Sequence, residues 1–567
     1  MSALLLALDR DPDARAEDAR RLRASLARQG LPHAHAARWP GIELGWHETP
    51  GEPASRAQWL PVGDGLVACV GTLFYDGRTG AAALQALWHD FADGASAASP
   101  RLAGEYQVVL AKHGRVWLFG DPLGMIKRYE SADGRLASTS WLACADAQPR
   151  LDPDPVGALD YLFHGANHGN RTACEQVRIA DPAEVRELVG GLRERRFGPA
   201  YWAPGALLDD REQALERVQA RLVQLARGWA DGFPDRLRSA LSGGYDSRLL
   251  LAAAWATGQR PALHVYGHPD SADARTAAAV DRALGLGLRL IDKDALDRAH
   301  GGQPDLDANL DFFDGLPIDG ILDRGADRAT RIAQSAGGAL ALNGGGGEVL
   351  RDFFHLGPAG MRARDLVRVF WGGIDPAALR RPGLLAALDE HLATTIETEL
   401  GHGGRLSRQE IELVYPLLRG RYWTSRNNSM AARCGHFLTP LLDPQIVRDA
   451  ARLPLAWKRF GRFEGALIAR LAPELGALPL ADGHTPARGP ALPSRIATTL
   501  LDSRPPWLRQ ASARLRAQRI AQRSPPRCDD DEFPRMALLV EPVRLRAPAL
   551  RARLITLERL LARQPAP

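Results

Sequence analysis

Two hydrophobic rhythms divide the chain. From residue 1 to about 200 the apolar residues come in short runs: Leu4 to Leu8, Gly65-Leu66-Val67-Ala68-Cys69-Val70, Tyr106-Gln107-Val108-Val109-Leu110, and Val116-Trp117-Leu118-Phe119-Gly120 ahead of the turn Asp121-Pro122-Leu123-Gly124. Runs of this length bounded by turn residues predict strands, and so a β-rich domain with a few helices. Pro199 to Pro204 reads as a linker, and beyond it the rhythm changes. Residues 211 to 230 carry the period of an amphipathic helix. Arg236 to Leu241 is a strand-like run, Leu249 to Ala256 an apolar helix, Ala262 to Tyr266 a strand, Asp273 to Leu284 a helix, Leu288 to Ile291 a strand, and Ala339 to Leu342 a further strand. Strand and helix alternating at this spacing predict a parallel sheet with right-handed crossovers. Residues 360 to 475 read as mainly helical. The remainder is Pro- and Arg-rich, with the acidic run Asp529-Asp530-Asp531-Glu532 and a terminal helix pattern at Leu554 to Leu561. The expected divisions are therefore 1–200, 205–485 and a solvated helical extension at 486–567.

Composition narrows the class. The 567 residues, 45% hydrophobic and 25% charged, suffice for two or more cores. A formal net charge of +5 is too small for this length to imply a nucleic-acid partner. Cys69, Cys144, Cys174, Cys434 and Cys528 are scattered without a CxxC pair, which argues against a disulfide framework or a zinc site and fits a reducing cytoplasm. Leu4 to Leu8 meets Asp9 and Arg10 at once, too soon for a signal sequence, and no run approaches the ~20 apolar residues of a membrane span.

The chemistry concentrates at Ser242-Gly243-Gly244-Tyr245-Asp246-Ser247, between a predicted strand and a predicted helix. At a helix N-terminus the free N–H groups and the dipole favour an anion. Paired glycines let the backbone approach phosphates closely, and Ser242 and Ser247 add hydroxyl donors. Asp246 would repel phosphates unless magnesium lay between them, so the loop predicts a metal-nucleotide site. No GxxxxGK[ST] occurs, which excludes a Walker-type loop.

The motif SGGYDS resembles the SGGxDS loop of the N-type ATP pyrophosphatases, and about residues 1 to 480 resemble asparagine synthetase in order and spacing. Val265-Tyr266-Gly267 followed by Asp273 resembles that family's second strand and acidic helix start. Asn343-Gly344-Gly345-Gly346-Gly347-Glu348 occupies the place of its SGEGSDE loop, and Ser429-Met430-Ala431 through Pro440-Leu441-Leu442-Asp443 that of its SMA…PFLD segment. The resemblance implies an α+β, glutaminase-like (Ntn-type) β-sandwich followed by an α/β parallel-sheet ATP-pyrophosphatase domain. It implies ATP on Leu241, Ser242, Gly243, Gly244, Asp246, Ser247, Val265, Asn343 and Gly344, with Mg2+ on Asp246 and Glu348 and adenine bracketed by the Leu241 and Val265 backbones.

The departures matter equally. The chain begins Met1-Ser2 where glutamine-dependent members have a cysteine after Met1, and Val70-Gly71-Thr72 replaces their Asn-Gly-Glu, so ammonia release from glutamine is not expected. His436 and Leu438 replace a Glu and an Arg of the aspartate pocket. What the resemblance leaves is an amide-forming engine without a glutaminase, as in the β-lactam synthetases and the lasso peptide cyclases. The former place a tyrosine where this chain has Gly345, which favours a lasso cyclase with a wide cleft over the glycine loop. Its partners would be a precursor peptide and a leader-peptide protease, with neither nucleic acid nor membrane. The rivals are a β-lactam synthetase-like or other small-molecule amide ligase, an asparagine synthetase using free ammonia, and a non-catalytic binding protein. Among just four lysines, Lys458 is a candidate cation for the transition state, and Arg462 is the alternative by position. His436 and Gly345 are candidate substrate-pocket residues, and Glu410 and Glu412 lesser candidates for a base.

Overall fold

The computed structural model describes residues 2–48, 58–189, 191–502 and 532–563, with 504–505, 508–509, 511–512 and 515 between the last two. Of the acidic run only Glu532 lies within the described residues, and Cys528 lies outside them.

The strands of the first half, in chain order, are β1 (Ser2–Leu8), β2 (His33–Trp39), β3 (Ile42–Glu48), β4 (Trp59–Val62), β5 (Gly65–Tyr75), β6 (Leu102–Lys112), β7 (Arg115–Gly120), β8 (Tyr129–Ser131), β9 (Leu136–Ser138), β10 (Val177–Ile179), β11 (Glu184–Glu187) and β12 (Arg193–Arg195). They form two six-stranded antiparallel sheets, ordered β10-β8-β9-β1-β3-β2 and β12-β11-β7-β6-β5-β4. Leu4 and Leu6 of β1 share the core between the sheets with Ala68 and Val70 of β5. Leu5 and Ala7 instead join Leu22 and Leu26 of the helix Pro12–Arg28. Burial on both faces is why this strand reads as an unbroken apolar run. Val67 and Cys69, on the other face of β5, pack under Leu84 and Leu87 of the helix Gly80–Asp90. The layers are helix, sheet, sheet, helix.

The second half contributes β13 (Leu237–Ala240), β14 (Ala262–Tyr266), β15 (Arg289–Ile291), β16 (Leu340–Leu342), a two-residue ladder of β17 (Met361–Arg362) and β18 (Arg405–Leu406), and β19 (His436–Leu438). β13 to β16 and β19 form a parallel five-stranded sheet ordered β15-β14-β13-β16-β19. The helices Tyr245–Trp255, Ala272–Leu284 and Ala326–Ser335 lie on the crossovers, the first two within a few residues of the predicted bounds and the third not predicted. From β13 the chain runs outward through β14 to β15 and then returns to β16 on the other side. The order therefore switches between β13 and β16, the place where open parallel sheets bind ligands beyond their carboxyl ends.

Two expectations need correction. Pro199 to Pro204 is not a free linker: Pro199–Trp202 makes a helical turn and Trp202 is 1% exposed. The C-terminal helix Pro548–Ala562 is not a solvated extension either, because Leu554, Leu557 and Leu560 are buried in the main core and Arg553 donates to the carbonyls of Ile318 and Leu162. That core runs through both halves of the chain. Buried Arg426 joins them, donating to the Tyr129 hydroxyl, to Asp314 and to the carbonyl of Leu316. Cys69, Cys144, Cys174 and Cys434 are free thiols. Among the described residues no helix is long and apolar enough to cross a membrane.

Candidate functional site

Both glycine loops leave the carboxyl ends of the two strands at the switch. Ser242-Gly243-Gly244 follows β13 and opens the helix Tyr245–Trp255; Asn343 to Glu348 follows β16. They touch, since a Cβ at Gly344 would lie 3.1 Å from the Ser247 nitrogen. Gly243 has no room for a side chain, with Ala481 Cβ at 2.6 Å and Asp273 Oδ1 at 2.9 Å from that position. Gly346 takes φ +92° with Leu442 2.5 Å from its would-be Cβ, so glycine is required there on both counts.

The first loop is held from within. The Ser242 N–H donates to Ser247 Oγ at 3.0 Å, the Gly243 N–H to Asp273 Oδ1 at 2.9 Å, and the Gly244 N–H to Ser242 Oγ at 3.3 Å. Gly244 caps the helix without a side-chain acceptor, which leaves first-turn N–H groups for an anion. The Leu241 N–H donates to the His264 carbonyl at 2.7 Å, and the Val265 side chain is buried. In the second loop the Asn343 amide donates to Thr439 Oγ1 at 3.1 Å, and Asn343 Oδ1 accepts from the Gly345 N–H at 3.1 Å.

The expected metal ligands converge on one positive centre. Arg351 Nη2 lies 2.6 Å from Asp246 Oδ1 and 3.8 Å from Glu348 Oε1, while its Nε lies 3.0 Å from Glu464 Oε2. A Cβ at Gly347 would sit 2.4 Å from Asp246 Oδ1 and 2.9 Å from Glu464 Oε1, so only glycine lets these acids approach. Burial raises the Asp246 carboxyl above its ordinary range, with Arg351 pulling it down and Glu348 pushing it up. Burial, and then the charge of Asp246, push fully buried Glu464 higher still. Hard carboxylate oxygens gathered about one cation position suit magnesium, for which Arg351 would be the competitor. Glu464 escaped the sequence reading. Its signal was an acid among the buried positions Phe463, Gly465, Leu467 and Ile468 of the helix Arg462–Leu471.

Other candidates fare differently. Lys458 is 1% exposed rather than solvated; its Nζ lies 2.6 Å from Glu412 Oε2, whose Oε1 takes Arg408 at 2.6 Å. Arg462 does not reach the loops: its guanidinium stands over the Phe460 ring at 5.5 Å, beside the charges of Arg495 and Arg211. Glu410 caps its own helix from Ser407 and pairs with His402, so neither it nor Glu412 stands free as a base. His436 is not in the substrate cavity either. The pleat places Phe437 in the wall of a cavity over the sheet, and His436 faces the first half, 3.1 Å from Thr72 Oγ1.

Two cavities meet at the loops, sharing Asn343 and Asn427 in their walls. One, about 190 Å³, lies over the sheet against Ala240, His264, Tyr266 and Lys293. The other, about 450 Å³, extends from Gly345 and Glu348 across Phe353, Trp371, Tyr415 and Trp423. Tyr415 donates to Glu348 Oε2 at 2.6 Å, and burial, then the Glu348 charge, push its phenol far above the ordinary range. In comparisons with known proteins, the chain matches no family model and no curated sequence.

Proposed function

We propose that the protein is an asparagine synthetase-like ligase that splits ATP into AMP and pyrophosphate to activate a carboxylate, and that its product is a lasso-type macrolactam. The observation that carries this reading is the pair of glycine loops at the sheet's switch point, with Asp246 and Glu348 turned toward a single cation position. On this reading the antiparallel sandwich is a glutaminase-like (Ntn-type) domain without its nucleophile, and the parallel sheet is an ATP-pyrophosphatase domain. The N–H groups opening the helix Tyr245–Trp255 bind the departing phosphates. Asp246 and Glu348 would hold Mg2+, with Glu464 beside them, and the metal supplies charge neutralisation for the phosphates. The smaller cavity suits a nucleoside. The larger suits a folded peptide whose Asp or Glu side chain is activated and then captured by its own N-terminal amine. Holding amine and activated acyl group together supplies much of the rate, since effective molarities of ~10⁵ M or more are attainable. A leader-peptide protease acting first in the cytoplasm would free that amine.

The test is to incubate the protein with ATP labelled at the α-phosphate, magnesium and candidate peptides. Carboxylate-dependent AMP and pyrophosphate are expected, and lost in Asp246→Asn; ADP and orthophosphate would overturn the reading. A second reading, a small-molecule amide ligase of the β-lactam synthetase kind, draws support from the Tyr415–Glu348 pair, a tyrosine beside an acid at the glycine loop although Gly345 lacks the ring. Small carboxylates alone eliciting pyrophosphate would select it.

A further inference from the structure

The larger cavity has one cation in its wall, Arg419. Its guanidinium lies over the Trp423 ring at 3.6 Å, the shortest cation–ring distance among the described residues. It has no hydrogen-bond or ion-pair acceptor among them, unlike the neighbouring Arg421, paired with Glu399, and Arg351, shared by three acids. Arg419 is exposed, which leaves its N–H groups available to a ligand. The backbone explains the placement. Tyr415–Thr424 is π-helical, and Tyr415, Arg419 and Trp423, four residues apart, all line the cavity. Phe353, Phe370 and Trp371, each only partly buried, line the same cavity, with the Phe353 ring 4.4 Å from that of Tyr415.

We propose that Arg419, held over Trp423, receives a side-chain carboxylate of a peptide whose neighbouring apolar side chains fill the aromatic cavity. Charge complementarity selects the occupant: a planar fork with no acceptor matches a carboxylate, and aromatic walls match the apolar residues flanking it. The fork draws the acid into a cavity that Asn343, Gly345 and Glu348 also line, next to the expected site of activation. The choice of a peptide as carrier rests on the ligase reading above.

The test is calorimetric titration of the full chain with three probes: N-acetyl-Phe-Glu-Phe amide, the same peptide with Gln for Glu, and the Gln peptide with a free C-terminus. The first separates a side-chain carboxylate from the terminal carboxylate of the third. The Glu peptide is expected to bind at least about tenfold more tightly than its Gln amide counterpart, as charge-assisted bonding requires. That preference disappears in Arg419→Gln and survives in part in Arg419→Lys, which keeps the charge and loses the fork. Thermal melts confirm that the variants fold. The proposal is overturned if no probe binds, if the Gln amide binds equally well, if only the terminal carboxylate matters, or if Arg419→Gln keeps the preference. Pyrophosphate release from parallel samples supplied with magnesium and ATP separates the two ideas. Arg419-dependent binding without AMP formation keeps the subsite and ends the ligase reading, and AMP formation without Arg419 dependence does the reverse.

Discussion

Glu105, on β6 of the sandwich, accepts the backbone N–H of Thr439 at 2.5 Å and the Asn428 side-chain amide at 2.7 Å, both in the second half of the chain. Thr439 Oγ1 in turn receives the Asn343 amide, so a first-half carboxylate stands two hydrogen bonds from the loop after β16. Burial pushes the Glu105 carboxyl from 4.5 up to about 8, against the pull of those donors. The folded state thus keeps a proton that the unfolded chain releases near 4.5, and this stabilising contribution, complete below that pH, is lost as pH rises through 8. In urea denaturation between pH 5.5 and 8, stability of Glu105→Gln should fall less steeply than that of the native chain, by up to about 1.4 kcal/mol per pH unit. Equal slopes would show that Glu105 is not the group titrating.

Arg351 neutralises three acids at once. Arg351→Met leaves Asp246, Glu348 and Glu464 facing one another and should destabilise the fold by about 3–5 kcal/mol. Millimolar magnesium should then raise the melting temperature of the variant more than that of the native chain. No response in either protein would argue against a metal at these carboxylates.

Lys458 and Glu412 test the buried pair. Glu412→Leu alone strands the buried Lys458, at about 3–5 kcal/mol, Lys458→Met leaves Glu412 its Arg408 partner and should cost less, and the double variant should lose markedly less than the sum. Additive losses in chemical denaturation would show that the two side chains do not interact.

The C-terminal helix offers a simpler measurement. Leu557 is fully buried, so Leu557→Ala should cost about 2–5 kcal/mol. A solvated helix would lose no more than about 0.5 kcal/mol.

Much of the second sheet was legible, because β14 and the helices on either side of it carry short apolar runs and clean helical periods. The loop at 242–247 was legible for the same reason: glycines between a strand and a helix leave few alternatives. Arg462 misled because position along the chain says nothing about which way a helix faces, and this one turns Glu464 inward and Arg462 out. His436 misled through pleat parity, which one residue of register decides. The C-terminal helix looked solvated because the stretch leading to it is Pro- and Arg-rich, yet Arg553 reaches carbonyls of both halves and the helix's leucines fill the core between them. The role of Glu105 was not legible, since nothing local reveals that its partner lies 334 residues away.

The wide turn at Tyr415–Thr424 constrains how this pocket can change over generations. With i→i+5 bonding, the stripe of Tyr415, Arg419 and Trp423 depends on the exact number of amino acids in the coil. Point substitutions can trim its walls one group at a time. The gain or loss of a single codon would rotate the whole stripe away from the glycine loop, so new preferences would arrive in jumps.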